Sequence, residues 1–253
     1  MIHCKNCEIN FNSNYCPNCG QKNSVGNLTL HEVIHEFWHG ITHTDKGILN
    51  LLKSLFFTPK EVYFGYFSGQ RKKYFSPVTF FLIATTIYIF LKIRIFDFQD
   101  YLFNYGDEMG RLLIETTKFK SIYLIPLEVL ITWLAFRNKS NLAKIIVFWL
   151  FLNGFIFCIE ILATPIFFAL INYKIVIDKL FYLICLGIIF WHLKLVFSSN
   201  KWHDYLKLFI IVNIVFLLDY LISGYLLFGE KIWFYTKSEN LFQLLLNGYK
   251  SII

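Results

Sequence analysis

Residues 145–168 read IIVFWLFLNGFIFCIEILATPIFF and carry one formal charge, Glu160. A helix needs about 20 consecutive apolar residues to cross a hydrocarbon core ~30 Å thick, whereas a soluble chain spreads its apolar residues in amphipathic periods. Four further stretches have this character: Phe75 to Ile93, Phe119 to Phe136, Leu180 to Phe197 and Leu208 to Phe228. Composition agrees. Of 253 residues, 56% are hydrophobic, 20% aromatic and only 16% charged, while a soluble domain is about a quarter charged. Mean hydropathy is +0.51. The expected fold is an all-α polytopic membrane protein of about five transmembrane helices. The second stretch is the shortest and holds Pro126 and Glu128; in a four-span reading it is re-entrant.

The net charge of +7 does not point to nucleic acid, because the Lys and Arg side chains gather at the ends of the apolar runs, where they set topology. One side collects eight from the start of the chain through Tyr74, then Arg137, Lys139 and Lys144, then Lys194, Lys201 and Lys207. The other side collects ten, beginning with Lys92 and Arg94, and also the acidic loop of Asp97, Asp100, Asp107, Glu108 and Glu115. Arg71, Lys72 and Lys73 form the densest basic cluster, just before the first span. These counts place the head in the cytoplasm and the C-terminal tail outside. The first 30 residues hold no basic region leading into an apolar core, so the first span is expected to do the targeting.

Four segments are expected: a head at 1–27, amphipathic helices at 28–74, the membrane body at 75–228 and a tail at 229–253. In the head, Cys4-Lys5-Asn6-Cys7 and Cys16-Pro17-Asn18-Cys19-Gly20 are two CxxC pairs eight residues apart. Cys4, Cys7, Cys16 and Cys19 supply four soft thiolates for one tetrahedral ion, for which zinc is the natural candidate. Four thiolates leave no position open for water, so such a zinc-ribbon knuckle is structural. Redox pairs, disulfides and rubredoxin-like iron are the alternatives. Gly20 stands where a positive φ is often needed. Cys158 and Cys185, inside spans, read as small buried residues.

Between head and body, Thr29 and Glu32 make a capping box for an amphipathic helix bearing Val33, Ile34, Phe37, Trp38 and Ile41 on one side. Thr58-Pro59-Lys60-Glu61 is a second start signal, with Thr58 as N-cap, and Ser76-Pro77 a third. Such helices suit either the lipid interface or packing on the membrane body itself. His31, His35, His39 and His43 form a stripe in which His31-Glu32-Val33-Ile34-His35 and His35-Glu36-Phe37-Trp38-His39 both match HExxH. A third ligand is missing from either match, and Thr42 stands where the metzincin extension requires glycine. A solvated face is the plain reading, and a second metal site or a pH sensor the alternative. Within the spans, Glu128, Glu160 and Asp219, with Asn153 and Asn213, are candidates for an intramembrane polar site shared in the outer half. They are either protonated and hydrogen-bonded between helices or exposed to a wet cavity.

The ordered set of the CxxC pairs with Cys19-Gly20-Gln21, then Asp45-Lys46-Gly47, Leu51-Leu52, Thr58-Pro59, Gly69-Gln70-Arg71 and Tyr74-Phe75-Ser76-Pro77 resembles the bacterial family called domain of unknown function 3667. The resemblance covers roughly the first third of the chain. It implies an uncharacterised membrane protein and carries over no activity.

Three function classes follow. The first is a non-enzymatic adaptor or sensor with a structural zinc knuckle that contacts lipid or a cytoplasmic protein partner. The second is a transporter or channel using Glu128, Glu160 and Asp219. The third, a metalloprotease built on HExxH, is the weakest.

Overall fold

The computed structural model describes residues 1–23, 25, 28–33, 47–103, 124–169, 174–198 and 201–235; the side chains at 92–93, 95–103, 167–169, 174–179, 219–220 and 222–235 fall outside the description. Two short antiparallel strands open the chain, β1 (Ile2–His3) and β2 (Asn10–Phe11), pairing Ile2 with Phe11 and His3 with Asn10. A helical turn starts at Leu30. The helices α1 (Ile48–Phe57), α2 (Pro59–Ser68), α3 (Pro77–Phe103) and α4 (Leu124–Phe136) follow, then α5 (Leu142–Ala169), α6 (Lys174–Phe197) and α7 (Trp202–Tyr235). The described chain is mostly helical. Among the described residues two helices are long and apolar enough to cross a membrane, Leu142–Ile166 and Leu180–Phe197.

Helix boundaries differ from the apolar runs. α3 continues past Ile93 to Phe103, and α6 begins at Lys174, ahead of Leu180. An apolar run marks only the part of a helix that needs burial or lipid; the helix itself continues through polar residues until a breaker stops it.

The bundle is organised around α5. From Ile145 to Ile156 each of its residues is buried or half-buried, which requires an apolar surface on every face. α3 covers one face at close range. Gly154 lets Phe80 lie against the α5 backbone, and a Cβ there would stand 2.7 Å from the Phe80 ring. α4 covers another, where Trp149 Nε1 donates to Thr132 Oγ1 at 3.0 Å and Asn153 Nδ2 donates to Glu128 Oε2 at 2.7 Å. α6 brings Phe197, whose ring lies 5.1 Å from Phe148 and stacks on Phe136 at 5.3 Å. At the same end Lys139 pairs with the buried Asp204 at 2.7 Å, joining the end of α4 to the start of α7.

α1 and α2 cover the remaining face. The two ten-residue helices form a hairpin turned at Thr58, and they stand beside α5. Lys144 Nζ lies over the Phe67 ring at 5.8 Å, Tyr63 lies 4.9 Å from Phe148 and 6.3 Å from Phe151, and Phe56 lies 6.5 Å from Phe155. Tyr63 and His192 of α6 are both fully buried, and their Oη and Nδ1 share a hydrogen bond of 2.9 Å. Of the two expected placements, packing on the helical body itself is the one this hairpin takes.

The expected capping devices are met in part. Thr29 and Glu32 close a reciprocal box, with Thr29 N–H donating to Glu32 Oε2 at 3.1 Å and Glu32 N–H to Thr29 Oγ1 at 3.3 Å. Pro59 takes the first helical position of α2, but Thr58 is not a side-chain cap. Its hydroxyl donates backward to Ser54 O at 3.4 Å, because the turn from α1 is too tight to free it.

The α3–α5 contact gives a direct test. Gly154→Ala should destabilise the protein by ~1–3 kcal/mol, the range for overpacking a filled core, read as a lower thermal unfolding midpoint in detergent. Phe80→Leu in the same chain should recover most of that loss.

Candidate metal centre and the loop it rests on

The two CxxC segments fold as matching tight turns. In the first, Cys4 N–H donates to Ile9 O at 3.0 Å and Glu8 N–H to Cys4 O at 2.9 Å; in the second, Cys16 N–H donates to Gln21 O and Gly20 N–H to Cys16 O, both at 2.8 Å. The residue four beyond the leading cysteine turns left-handed in each, Glu8 at φ 63° and Gly20 at φ 69°. Gly20 meets the expectation for that site. Glu8 was missed, since a left-handed glutamate has no compositional signal, although its place matches that of Gly20.

These turns bring four sulfurs together. Cys4 Sγ lies 3.6 Å from Cys19 Sγ and Cys7 Sγ lies 3.5 Å from Cys16 Sγ, with all four within 4.8 Å of one another. Zinc–sulfur bonds of about 2.3 Å in a tetrahedron put sulfurs ~3.8 Å apart, so the set fits one such ion. Cys4 and Cys16 are buried; Cys7 and Cys19 are half-buried. The Asn18 side chain hydrogen-bonds Cys7 and draws its thiol down to about 6. Burial pushes the Cys19 thiol up to about 12.

The knuckle rests on the loop between α2 and α3. Gly69 caps α2 in the left-handed region, φ 105°, with Gln70 N–H donating to Gly65 O at 2.9 Å. Lys5, from the first CxxC, lies against Gly69, where an added Cβ would stand 3.0 Å from Lys5 Cδ, and Lys5 Nζ donates to Val25 O at 2.7 Å. Gln21, from the second turn, is buried, and its Oε1 faces Lys72 N–H at 3.5 Å. Arg71 Nη2 donates to Glu32 Oε2 at 2.9 Å. Burial of Glu32 acts to raise its pKa, but the hydrogen bond and charge of Arg71, with the Thr29 bonds, outweigh it and hold the carboxyl below its usual range. Leu28, fully buried, accepts from Asn141 Nδ2 at 3.0 Å. Gly65 leaves room for Tyr74, whose hydroxyl donates to Glu61 O at 3.1 Å.

The other candidates are placed as follows. His31 is exposed, and His35, His39 and His43 lie outside the described residues. Glu32, the glutamate of the first HExxH match, is held by Arg71 and Thr29. Glu128 is buried and bonded to Asn153, while Glu160 is half-buried two turns further along α5. The Asp219 side chain lies outside the described residues. Asn213 Nδ2 donates to its own helix at Phe209 O, 2.7 Å. The Tyr63–His192 pair was not foreseen, because it joins residues 129 positions apart.

Comparison with curated proteins and with solved structures returns no match. Residues 45–89, running from just ahead of α1 to the middle of α3, match the family described as Protein of unknown function (DUF3667).

Proposed function

We propose that the protein is a five-span membrane protein with a cytoplasmic head, acting as a non-enzymatic adaptor or sensor in which a structural zinc ion folds the knuckle and the folded knuckle holds the loop preceding the first span. The observation that carries this reading is the seating of Lys5 and Gln21, each next to a cysteine turn, on Gly69 and Lys72. Cys4, Cys7, Cys16 and Cys19 would hold the ion, which supplies folding energy and no open coordination position. Metal loading would then decide whether the loop is gripped. The two long apolar helices and the apolar portions of α3 and α4 support the membrane assignment. The buried Glu128–Asn153 bond supports a packing role for Glu128.

The purified protein should contain about one zinc per chain, as a four-thiolate site requires. Cys16→Ser should lose that zinc and speed tryptic cleavage at Arg71, Lys72 and Lys73 at least severalfold. Retained zinc, or cleavage unchanged after its loss, contradicts the reading. A reporter fused after Ile253 should be active only if it works outside the cytoplasm; activity in the cytoplasm means an even number of spans.

The Arg71–Glu32 clamp predicts a pH dependence of definite sign. A carboxyl whose folded pKa is depressed contributes stability above its unfolded value, about 4.3, and loses it as pH falls through the lower folded value. Sensitivity of the loop to papain, normalised at each pH to cleavage of an unfolded peptide, should therefore stay flat from neutral pH to about that unfolded value and rise below it. Measured with an acid-stable protease, Glu32→Gln should show the raised sensitivity at neutral pH and little further change on acidification.

A further inference from the structure

α6 and α7 run antiparallel and touch at two levels. Lys194 Nζ lies 5.5 Å from the centre of the Tyr205 ring, and the Tyr182 ring lies 5.0 Å from Phe216. Lys194 and Tyr182 are ~18 Å apart along one helix, and Tyr205 and Phe216 ~16 Å along the other, so the pair keeps step. Between these contacts the helices part. A groove of about 890 Å³ opens there, lined from α6 by Leu183, Gly187 and Phe190 and from α7 by Phe209, Val212 and Asn213. At Gly187 an added Cβ would meet nothing within 4 Å, so the groove reaches the α6 backbone. Asn213 turns its amide onto its own helix, donating to Phe209 O at 2.7 Å, which leaves the lining chiefly apolar.

The two ends of the groove differ chemically. One is closed by Tyr182 against Phe216. The other opens between Lys194 and Tyr205. Lys194 stands one turn beyond Phe190, and Lys201 one turn ahead of Tyr205, its carbonyl accepting from Tyr205 N–H at 3.5 Å. Both lysines are exposed. The carboxylate nearest them along the chain, Asp204, is buried and held by Lys139 at 2.7 Å. Trp202, beside them, is 70% exposed. This mouth is at the head's end of the bundle: Phe197 packs on Phe148 near the start of α5, where Asn141 Nδ2 donates to Leu28 O. From mouth to closed end the groove runs ~16 Å, the depth of one leaflet of a ~30 Å hydrocarbon core.

From a groove one leaflet deep with cations at its mouth, we infer that α6 and α7 hold an anionic phospholipid of the leaflet on the head's side, one acyl chain along Gly187 and the phosphate at Lys194 and Lys201. The inference rests on the membrane assignment proposed above. An acyl chain has no polar group to satisfy and suits the lining, while a lysine ammonium is a point charge for phosphate. Basic pockets between membrane helices suit anionic headgroups, and an exposed tryptophan suits the same level. A zwitterionic lipid brings its own cation to the mouth, so the two lysines favour a lipid of net negative charge. A second copy of the chain is opposed by charge. Two-fold symmetry about the membrane normal sets like residues at like depth, so these lysines would face their own counterparts.

The test is native mass spectrometry of the full chain, extracted from membranes in mild detergent and offered equal phosphatidylglycerol and phosphatidylcholine. The chain should retain a single phosphatidylglycerol in preference to phosphatidylcholine. Lys194→Gln should lower that preference about fivefold, the worth of one basic residue at an anionic surface, and Lys22→Gln, in the head, should leave it unchanged. Gly187→Phe fills the groove and should lose bound lipid of both kinds while keeping its thermal unfolding midpoint; Lys194→Gln, an exposed change, decides the matter even where Gly187→Phe does not fold. Equal retention of the two lipids, an unchanged preference in Lys194→Gln, an equal drop in Lys22→Gln, or undiminished retention in a folded Gly187→Phe overturns the inference alone. A lipid-free dimer that Gly187→Phe dissociates overturns it by putting a second copy in the groove. Release of the chain from membranes by alkaline carbonate overturns the membrane assignment together with the inference.

Discussion

Between Ile145 and Ile156 the helix α5 has protein on every side, and each neighbouring element is placed by what that burial demands. A helix with no solvent face can carry polar groups only where a neighbour satisfies them. Two polar bonds do so on the α4 side: Thr132 takes the Trp149 indole N–H, and Glu128 takes the Asn153 amide. On the α3 side the requirement is steric; Gly154 is the gap that Phe80 fills. Past Phe157 the same helix becomes half-buried or exposed at each described position. The difference between its halves is the α1–α2 hairpin, which packs only beside the first half.

That asymmetry explains why the loop after α2 is so constrained. The chain must leave the hairpin, pass beneath the head and turn into α3 within the eight residues from Gly69 to Ser76. Gly69 reverses direction in a backbone region closed to most side chains, and at the same point admits the Lys5 stem. Gly65 admits Tyr74 one turn earlier, where an alanine Cβ would stand 2.9 Å from the tyrosine ring. Arg71 then reaches back to Glu32, a charge-assisted bond to a partly buried pair that fixes the helical turn at Leu30 against the loop.

The head has very little core of its own. Cys4, Phe11 and Cys16 are its buried apolar residues, with Cys7 and Cys19 packed around them. A module this small ordinarily depends on a metal, on disulfides or on contact with a larger body. Here the four cysteine sulfurs are gathered within reach of one another, and Gln21 and Lys5 supply the contact. Folding of the head and its attachment to the body therefore share residues, since each cysteine turn contributes one side chain to the docking face.

Much of this could be read from the residues in order. Runs such as 145–168 declare long apolar helices whatever surrounds them, since hydropathy is a local property summed along the chain. Paired CxxC segments declare a four-sulfur cluster because each turn is local, and Thr29 with Glu32 declares its own capping box. What stayed illegible depends on distance in sequence. The Tyr63–His192 bond, the Phe80–Gly154 contact and the seat of Gln21 beneath Lys72 join segments tens of residues apart or more, and no periodicity encodes such meetings. The amphipathic pattern of residues 48–68 said only that one face must be buried. Whether that face met lipid headgroups, the underside of a bundle or the flank of α5 was decided by the one surface of α5 that α3, α4 and α6 leave open.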